Sequence, residues 1–212
     1  MFRIGRQLLS DNQRTLIVAE IGQAHDGSLG TAYALVDSIA RAGCDGVKFQ
    51  IHFAKEESTL NDKFRVKFSV QDTTRFDYWK RIEFTESQWI DLVQYSKSKG
   101  LIVVCSAFSD KAYELAHRLD IDALKIASGE FFNESAISLA LKDDLPILLS
   151  TGMSTMDECD SLIDLLSKQG KNVLIMQCTS QYPTPFNKIG LNILDEFRSR
   201  YNLPIGLSDH SG

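Results

Sequence analysis

Short apolar runs recur along the chain, and each gives way to polar residues: LIVAE at 16–20, GVKFQ at 46–50, LIVVCS at 101–106, ALKIAS at 123–128, PILLST at 146–151, VLIMQCT at 173–179 and PIGLSDH at 204–210. Continuous runs of this length, rich in Val, Ile and Leu, predict seven buried strands. Amphipathic patterns between them predict helices. The clearest runs from Glu86 to Lys99, with Thr85 and Gln88 spaced as a capping box in front and Gly100 as a stop behind. Others are predicted from about Thr31 to Ala42 before Gly43, from Lys111 to Leu119, and from about Met156 to Lys168 before Gly170.

Apolar strands alternating with amphipathic helices imply a parallel sheet, because parallel strands need crossover connections and the helices then cover the sheet. Successive runs are mostly spaced by about 20 to 30 residues, the size of one βα unit, and no glycine-rich dinucleotide fingerprint follows the first. The expected fold class is therefore α/β, a (β/α)8 TIM-type barrel. The interval at 51–101 is longer, and its stretch from Lys55 to Lys80 is rich in charged and aromatic residues, which reads as a long loop over the end of the second strand, a usual place for a substrate lid. A barrel of this type closes with eight strands, whereas the seventh run lies just before Gly212. The expectation is one barrel domain over residues 1–212, carrying about seven of the eight strands and either truncated before the eighth or completed by another segment.

Composition narrows the function classes. With 212 residues, 43% hydrophobic and 24% charged, the chain has ordinary globular usage. Its 23 Lys and Arg against 28 Asp and Glu give a net charge of −5, so no general field draws nucleic acid or an anionic membrane, and an anionic substrate must meet a local basic site. The N-terminal stretch has no long apolar run before Asp11 and Arg14, which gives no sign of a signal peptide or membrane span and leads to the expectation of a cytoplasmic protein. Cys44, Cys105, Cys159 and Cys178 lack the paired spacing of a zinc or redox motif and read as small buried residues.

Polar side chains gather at the C-terminal ends of the predicted strands, where barrel enzymes build their sites. Glu20 closes the first strand, Lys48 and Gln50 share one face of the second, and Ser106 ends the third. The fourth brings Lys125, Ser128 and Glu130, the fifth Ser150, the sixth Ser180 and Tyr182, and the seventh Ser208, Asp209 and His210. A lysine in an apolar strand is costly to bury unless it is paired or meets an anion, so Lys48 and Lys125 at equivalent positions suggest an anion site with serine hydroxyls around it. Pairing of Lys48 with Glu20 and of Lys125 with Glu130 is the simpler alternative. Glu20 suits a general base tuned by the same surroundings. His210 beside Asp209 suits a metal ligand oriented by a neighbouring carboxylate. His25, in a glycine-bounded loop, could face the same mouth, while His52 and His117 read as loop and helix-surface residues without a role.

Taken together, IVAEIGQAHDGS, GCDGVKFQ, ALKIASGEFFNES, PILLSTGMSTMDE, QCTSQYPTP and GLSDHSG, in this order over nearly the whole chain, resemble the N-acetylneuraminate (sialic acid) synthases and their legionaminate, pseudaminate and 9-phosphate-forming relatives. The resemblance implies a metal-dependent condensation: C3 of phosphoenolpyruvate attacks the aldehyde of an open-chain N-acylhexosamine, water attacks C2, and phosphate leaves with C–O cleavage to give a nine-carbon 2-keto acid. It implies phosphoenolpyruvate contacts from Lys48, Ser106, Lys125, Ser128, Ser150, Ser180 and Ser208, sugar contacts from Gln50 and Tyr182, acid/base work by Glu20, and Mn²⁺ or Mg²⁺ on His210. Homodimers are implied for the full-length protein, through a C-terminal antifreeze-like domain. Two departures from the family pattern are Ala24, where Asn is usual before His25, and Cys105-Ser106-Ala107-Phe108, where Ser-Thr-Pro-Phe is usual. A Schiff-base aldolase using Lys125, and a non-catalytic barrel fragment that binds a ligand or partner, are the competing expectations.

Overall fold

A computed structural model describes residues 2–9, 14–142 and 144–212; Asp11, which interrupts the apolar start of the sequence, lies outside the described residues. The chain begins with a hairpin absent from the expected elements, β1 (Phe2–Ile4) antiparallel to β2 (Gln7–Leu9). Its strands are three residues long, too short for a two-residue periodicity to stand out, and Phe2 and Ile4 are buried. The described residues divide into two compact units, Leu16–Ile121 and Asp122–Gly212, the latter with the hairpin.

In the unit of residues 16–121, β3 (Val18–Gly22), α1 (Leu29–Arg41), β4 (Gly46–Ile51), α2 (Ala54–Glu57), α3 (Arg75–Ile82), α4 (Glu86–Ser98), β5 (Ile102–Ala107) and α5 (Asp110–Arg118) follow one another. The strands pair in parallel in the order β3, β4, β5, with Glu20 opposite Lys48 and Gln50 opposite Ser106. On β4, Val47, Phe49 and Ile51 are fully buried, and Phe49 meets Trp89 of α4 edge-on at 5.8 Å between ring centroids. Burying an aromatic or branched side chain of this kind is worth about 1.5–3 kcal/mol, and the intervening positions leave Lys48 and Gln50 on the other face. The capping box on α4 forms as expected, Thr85 accepting from Gln88 N and Gln88 from Thr85 N.

The stretch from Lys55 to Lys80 departs from the expected long loop, because most of α2 and most of α3 lie inside it. Thr74 and Asp77 make a second capping box, and Arg81 grips both oxygens of buried Asp72, whose carboxyl it holds below the usual range. These contacts order the segment as packed structure.

In the other unit, β6 (Ala123–Ile126), α6 (Glu134–Ala140), β7 (Ile147–Ser150), α7 (Met156–Lys168), β8 (Val173–Cys178), α8 (Leu191–Arg200) and β9 (Ile205–Ser208) alternate, with a short 3₁₀ turn at Ser128–Glu130 after β6. The strands again pair in parallel, in the order β6, β7, β8, β9. β6 and β7 are buried at every position, whereas all four residues of β9 are only half-buried. Asn172 ties the hairpin to the start of β8 through Arg3 O. Each of the seven expected strands is present, within about two residues of its predicted limits.

Candidate active site

In the first unit, the parallel register brings Lys48 Nζ to 2.6 Å from Glu20 Oε2, so the simpler pairing expected for Lys48 is made. The lysine is 7% exposed at its side chain and the glutamate 39%, which leaves the carboxylate partly open to a ligand. A register shift follows Glu20, and Gly22 takes a φ of +50°. A Cβ there would lie 3.1 Å from Glu20 Oε1 and 3.6 Å from Gln50 Nε2, so only glycine leaves room between these two groups. Ser106 is buried, and its Oγ has no hydrogen-bond partner among the described residues.

Two histidines of this unit are buried. His25 is buried against Phe84, ring centroids 4.5 Å apart, its Nδ1 accepts from Gly27 N, and burial pushes its pKa down to about 4. His52 is no exposed loop residue. It is buried between Trp79 and Phe108, at 4.2 and 4.4 Å between centroids, and bonded to Glu57, Gln23 and Gln50. His117 lies half-buried on α5.

In the second unit, buried Lys125 donates to Ser208 Oγ at 3.3 Å, and Glu130 accepts from Asn133 at 2.7 Å. Ser128 Oγ accepts from Gly152 N at 3.1 Å. A Cβ on Gly152 would stand 2.7 Å from Cys178 O, 2.8 Å from Ser180 Oγ and 3.0 Å from Ser128 Oγ, so two of the expected serines crowd one backbone position. Ser150 ends β7 with its hydroxyl buried and lacking a partner among the described residues. Buried hydroxyls without partners are uncommon; those of Ser106 and Ser150 fall at strand ends, while that of Ser154 lies in the segment before α7.

His210 Nε2 lies 3.4 Å from Ser208 Oγ and 3.5 Å from Tyr182 Oη, at the outer limit of hydrogen bonding. Asp209 does not orient that ring. Its carboxylate accepts from Ser211 N and Ser211 Oγ, both at 3.0 Å. Cys178, which by spacing reads as a small buried residue, is a further neighbour. Burial pushes its thiol up, but hydrogen bonds with His210 and Ser128 and the charge of Lys125 outweigh this and bring it down to about 7. Cys105 and Cys159 are inert by comparison, buried and pushed up to about 12 and about 11.

Among the described residues there is no group of three or more His, Cys, Asp or Glu side chains able to hold a metal ion. One imidazole flanked by hydroxyls and a thiol is not the oxygen-rich set that Mn²⁺ or Mg²⁺ takes, so these residues do not by themselves fit the expected ion. No helix among the described residues is long and apolar enough to cross a membrane.

Parallel strands joined by helices are the build of a TIM-type barrel, and the lysines and hydroxyls stand at the strand ends, where such barrels place their sites. A spore coat polysaccharide biosynthesis protein of Bacillus subtilis has the same fold, with a TM-score of 0.82 and 25% identity over 99% of this chain and 57% of its own. The chain belongs to the NeuB family, whose model matches residues 35–212. It is 29% identical to the N,N'-diacetyllegionaminic acid synthase of Campylobacter jejuni, over 94% of this chain and 61% of that one. It is 28% identical to human N-acetylneuraminate-9-phosphate synthase, over 92% of this chain and 55% of that one. The chain thus spans little more than half the length of these relatives.

Proposed function

We propose that the chain carries the strand-end groups of a synthase that joins phosphoenolpyruvate to an open-chain N-acylated amino sugar, N-acetylmannosamine, its 6-phosphate or a related sugar. The observation that carries this reading is the packing of Ser128 and Ser180 hydroxyls around Gly152, in the unit where Lys125 reaches Ser208. Lys125 is buried, Ser128 and Ser208 are half-buried and Ser180 is exposed, and ammonium and hydroxyl donors of this kind suit phosphate and carboxylate oxygens. Lys125, Ser128, Ser150, Ser180 and Ser208, with Lys48 and Ser106, are assigned to phosphoenolpyruvate, and Gln50 and Tyr182 to the sugar.

In the proposed reaction C3 of phosphoenolpyruvate bonds to the aldehyde carbon, whose oxygen takes up a proton. Water adds at C2, the C2–O bond to phosphate breaks, and inorganic phosphate departs from the resulting 2-keto acid. Glu20, with Oε2 on Lys48 and Oε1 turned toward Gly22, is assigned the proton transfers. A divalent ion at His210 would take its other donors from substrate or from residues beyond those described, and no step is assigned to it. The intact protein is proposed to act in the cytoplasm as a homodimer.

The test is phosphate release by the intact protein, supplied with phosphoenolpyruvate, Mn²⁺ and either N-acetylmannosamine or its 6-phosphate. Release that needs both substrates is expected. No release with any N-acylhexosamine, together with borohydride trapping of a sugar or pyruvate on Lys125, would overturn the synthase reading in favour of a Schiff-base aldolase.

A further inference from the structure

The assignment of Gln50 to the sugar leaves open which end of its amide the substrate meets. An amide can present either a carbonyl oxygen or an NH₂ group, and the two select opposite partners. Four side chains outside the expected site bear on the choice.

Glu57 starts the sequence of contacts. One of its oxygens accepts from Phe53 N at 2.8 Å, and the other lies 2.7 Å from His52 Nδ1, which places a proton on that nitrogen. His52 is stacked between the Trp79 and Phe108 rings, which hold its plane, and the contact with Glu57 keeps Nδ1 on that side. Its Nε2 therefore accepts, and Gln23 Nε2 lies 3.1 Å away as the donor. The second N–H of Gln23 goes to Gln50 Oε1 at 3.0 Å, while Gln23 Oε1 accepts from Tyr78 Oη at 3.1 Å, so both ends of the Gln23 amide are engaged. Were His52 doubly protonated, its Nε2–H would face Gln50 Oε1 at 3.2 Å, and that oxygen would still be the acceptor.

Gln50 Oε1 is thus occupied in either protonation state. Its Nε2 has no protein partner among the described residues and lies 3.6 Å from where a Cβ of Gly22 would stand, a point 3.1 Å from Glu20 Oε1. We propose that Glu57, His52 and Gln23 form a positioning relay that turns the Gln50 NH₂ group toward the substrate, so that this corner of the site selects an acceptor oxygen, a hydroxyl or acyl carbonyl of the sugar. The proposal rests on the sugar-contact reading of Gln50.

The decisive variant is Gln23→Glu, which keeps the shape but replaces both N–H donors with an oxygen. The carboxylate takes the place of the N–H that meets Gln50 Oε1 at 3.0 Å, and the Gln50 amide then gains by turning over to donate to it and present Oε1 instead. In the intact protein, N-acetylmannosamine binding is expected to weaken by about tenfold or more in Gln23→Glu and in Gln50→Ala, with phosphoenolpyruvate affinity unchanged. The double variant is expected to lose no more than Gln50→Ala alone, because the relay acts only through that amide. Additive losses, or full sugar affinity in Gln23→Glu when Gln50→Ala has lost it, would overturn the relay.

A ligand-free measurement separates this from failure of the sugar assignment. In ¹⁵N-labelled protein without substrate, the His52 ring is expected to show a protonated Nδ1, and the Gln50 side-chain NH₂ resonances are expected to move in Gln23→Glu. If Gln50→Ala binds the sugar normally while these signals behave as expected, the sugar assignment fails and the relay stands. Unmoved NH₂ resonances sink the relay itself.

Discussion

Lys48 Nζ donates to Glu20 Oε2 at 2.6 Å between residues that sit directly opposite each other on the parallel strands β3 and β4. The pair occupies one carboxylate oxygen and leaves Oε1 beside the opening kept by Gly22, next to the Gln50 amide. Ammonium, carboxylate and amide therefore share one strand-end corner, and the lysine brings its charge there from a buried position.

Glu20→Gln in the intact protein is expected to keep phosphoenolpyruvate affinity and lose kcat by about 10²–10⁴-fold, the range of general acid–base catalysis. The amide still accepts from Lys48, so the buried ammonium keeps a partner. Steady-state kinetics beside calorimetry decide the point, and a near-normal kcat would remove Glu20 from the proton transfers.

Lys125→Ala is expected to weaken phosphoenolpyruvate binding by about tenfold or more, because a charge-assisted contact to phosphate or carboxylate is worth about 1.5–3 kcal/mol. Calorimetric titration of wild type and variant provides the comparison. Equal affinities would take the anion away from this lysine.

Gly152→Ala is expected to destabilise the protein by about 1–3 kcal/mol, as overpacking does, since the added methyl meets Cys178 O at 2.7 Å and backbone cannot swing aside. It would also push apart the Ser128 and Ser180 hydroxyls, so anion affinity should fall with stability. Thermal unfolding with and without phosphoenolpyruvate reads both effects. An unchanged Tm would mean that the close approach at Gly152 is relaxed in solution.

Stability is expected to fall as pH drops from about 6.5 toward about 4, because buried His25 titrates near 4 in the fold and near its ordinary value when unfolded. Within that window the unfolded chain binds the extra proton, so acid favours unfolding, and above it the residue contributes no pH dependence. His25→Asn, whose side-chain oxygen can accept from Gly27 N in place of Nδ1, should flatten this part of the Tm-against-pH curve. A curve of the same slope in the variant would assign the acid sensitivity elsewhere.

Strand positions and the facing of β4 are legible in the sequence because both follow from local periodicity: alternation alone puts Lys48 and Gln50 on one face and buries Val47, Phe49 and Ile51 on the other. The capping box before α4 is equally local, and so is the missed one before α3, where Thr74 and Asp77 stand in the same spacing at the head of a short polar helix. Serines and lysines at strand ends could likewise be read from where each apolar run stops. Burial of His52 between Trp79 and Phe108 could not, nor could the Tyr78 to Gln23 bond that joins residues 55 positions apart. The thiol of Cys178 differs from those of Cys105 and Cys159 only through the side chains folded against it. Sequence pattern thus determined which residues reach the strand ends, since that depends on the repeat of each segment by itself. Tertiary structure alone decided which way an amide faces, which imidazole is buried and which hydroxyls meet, because those depend on atoms brought together from segments far apart in the chain.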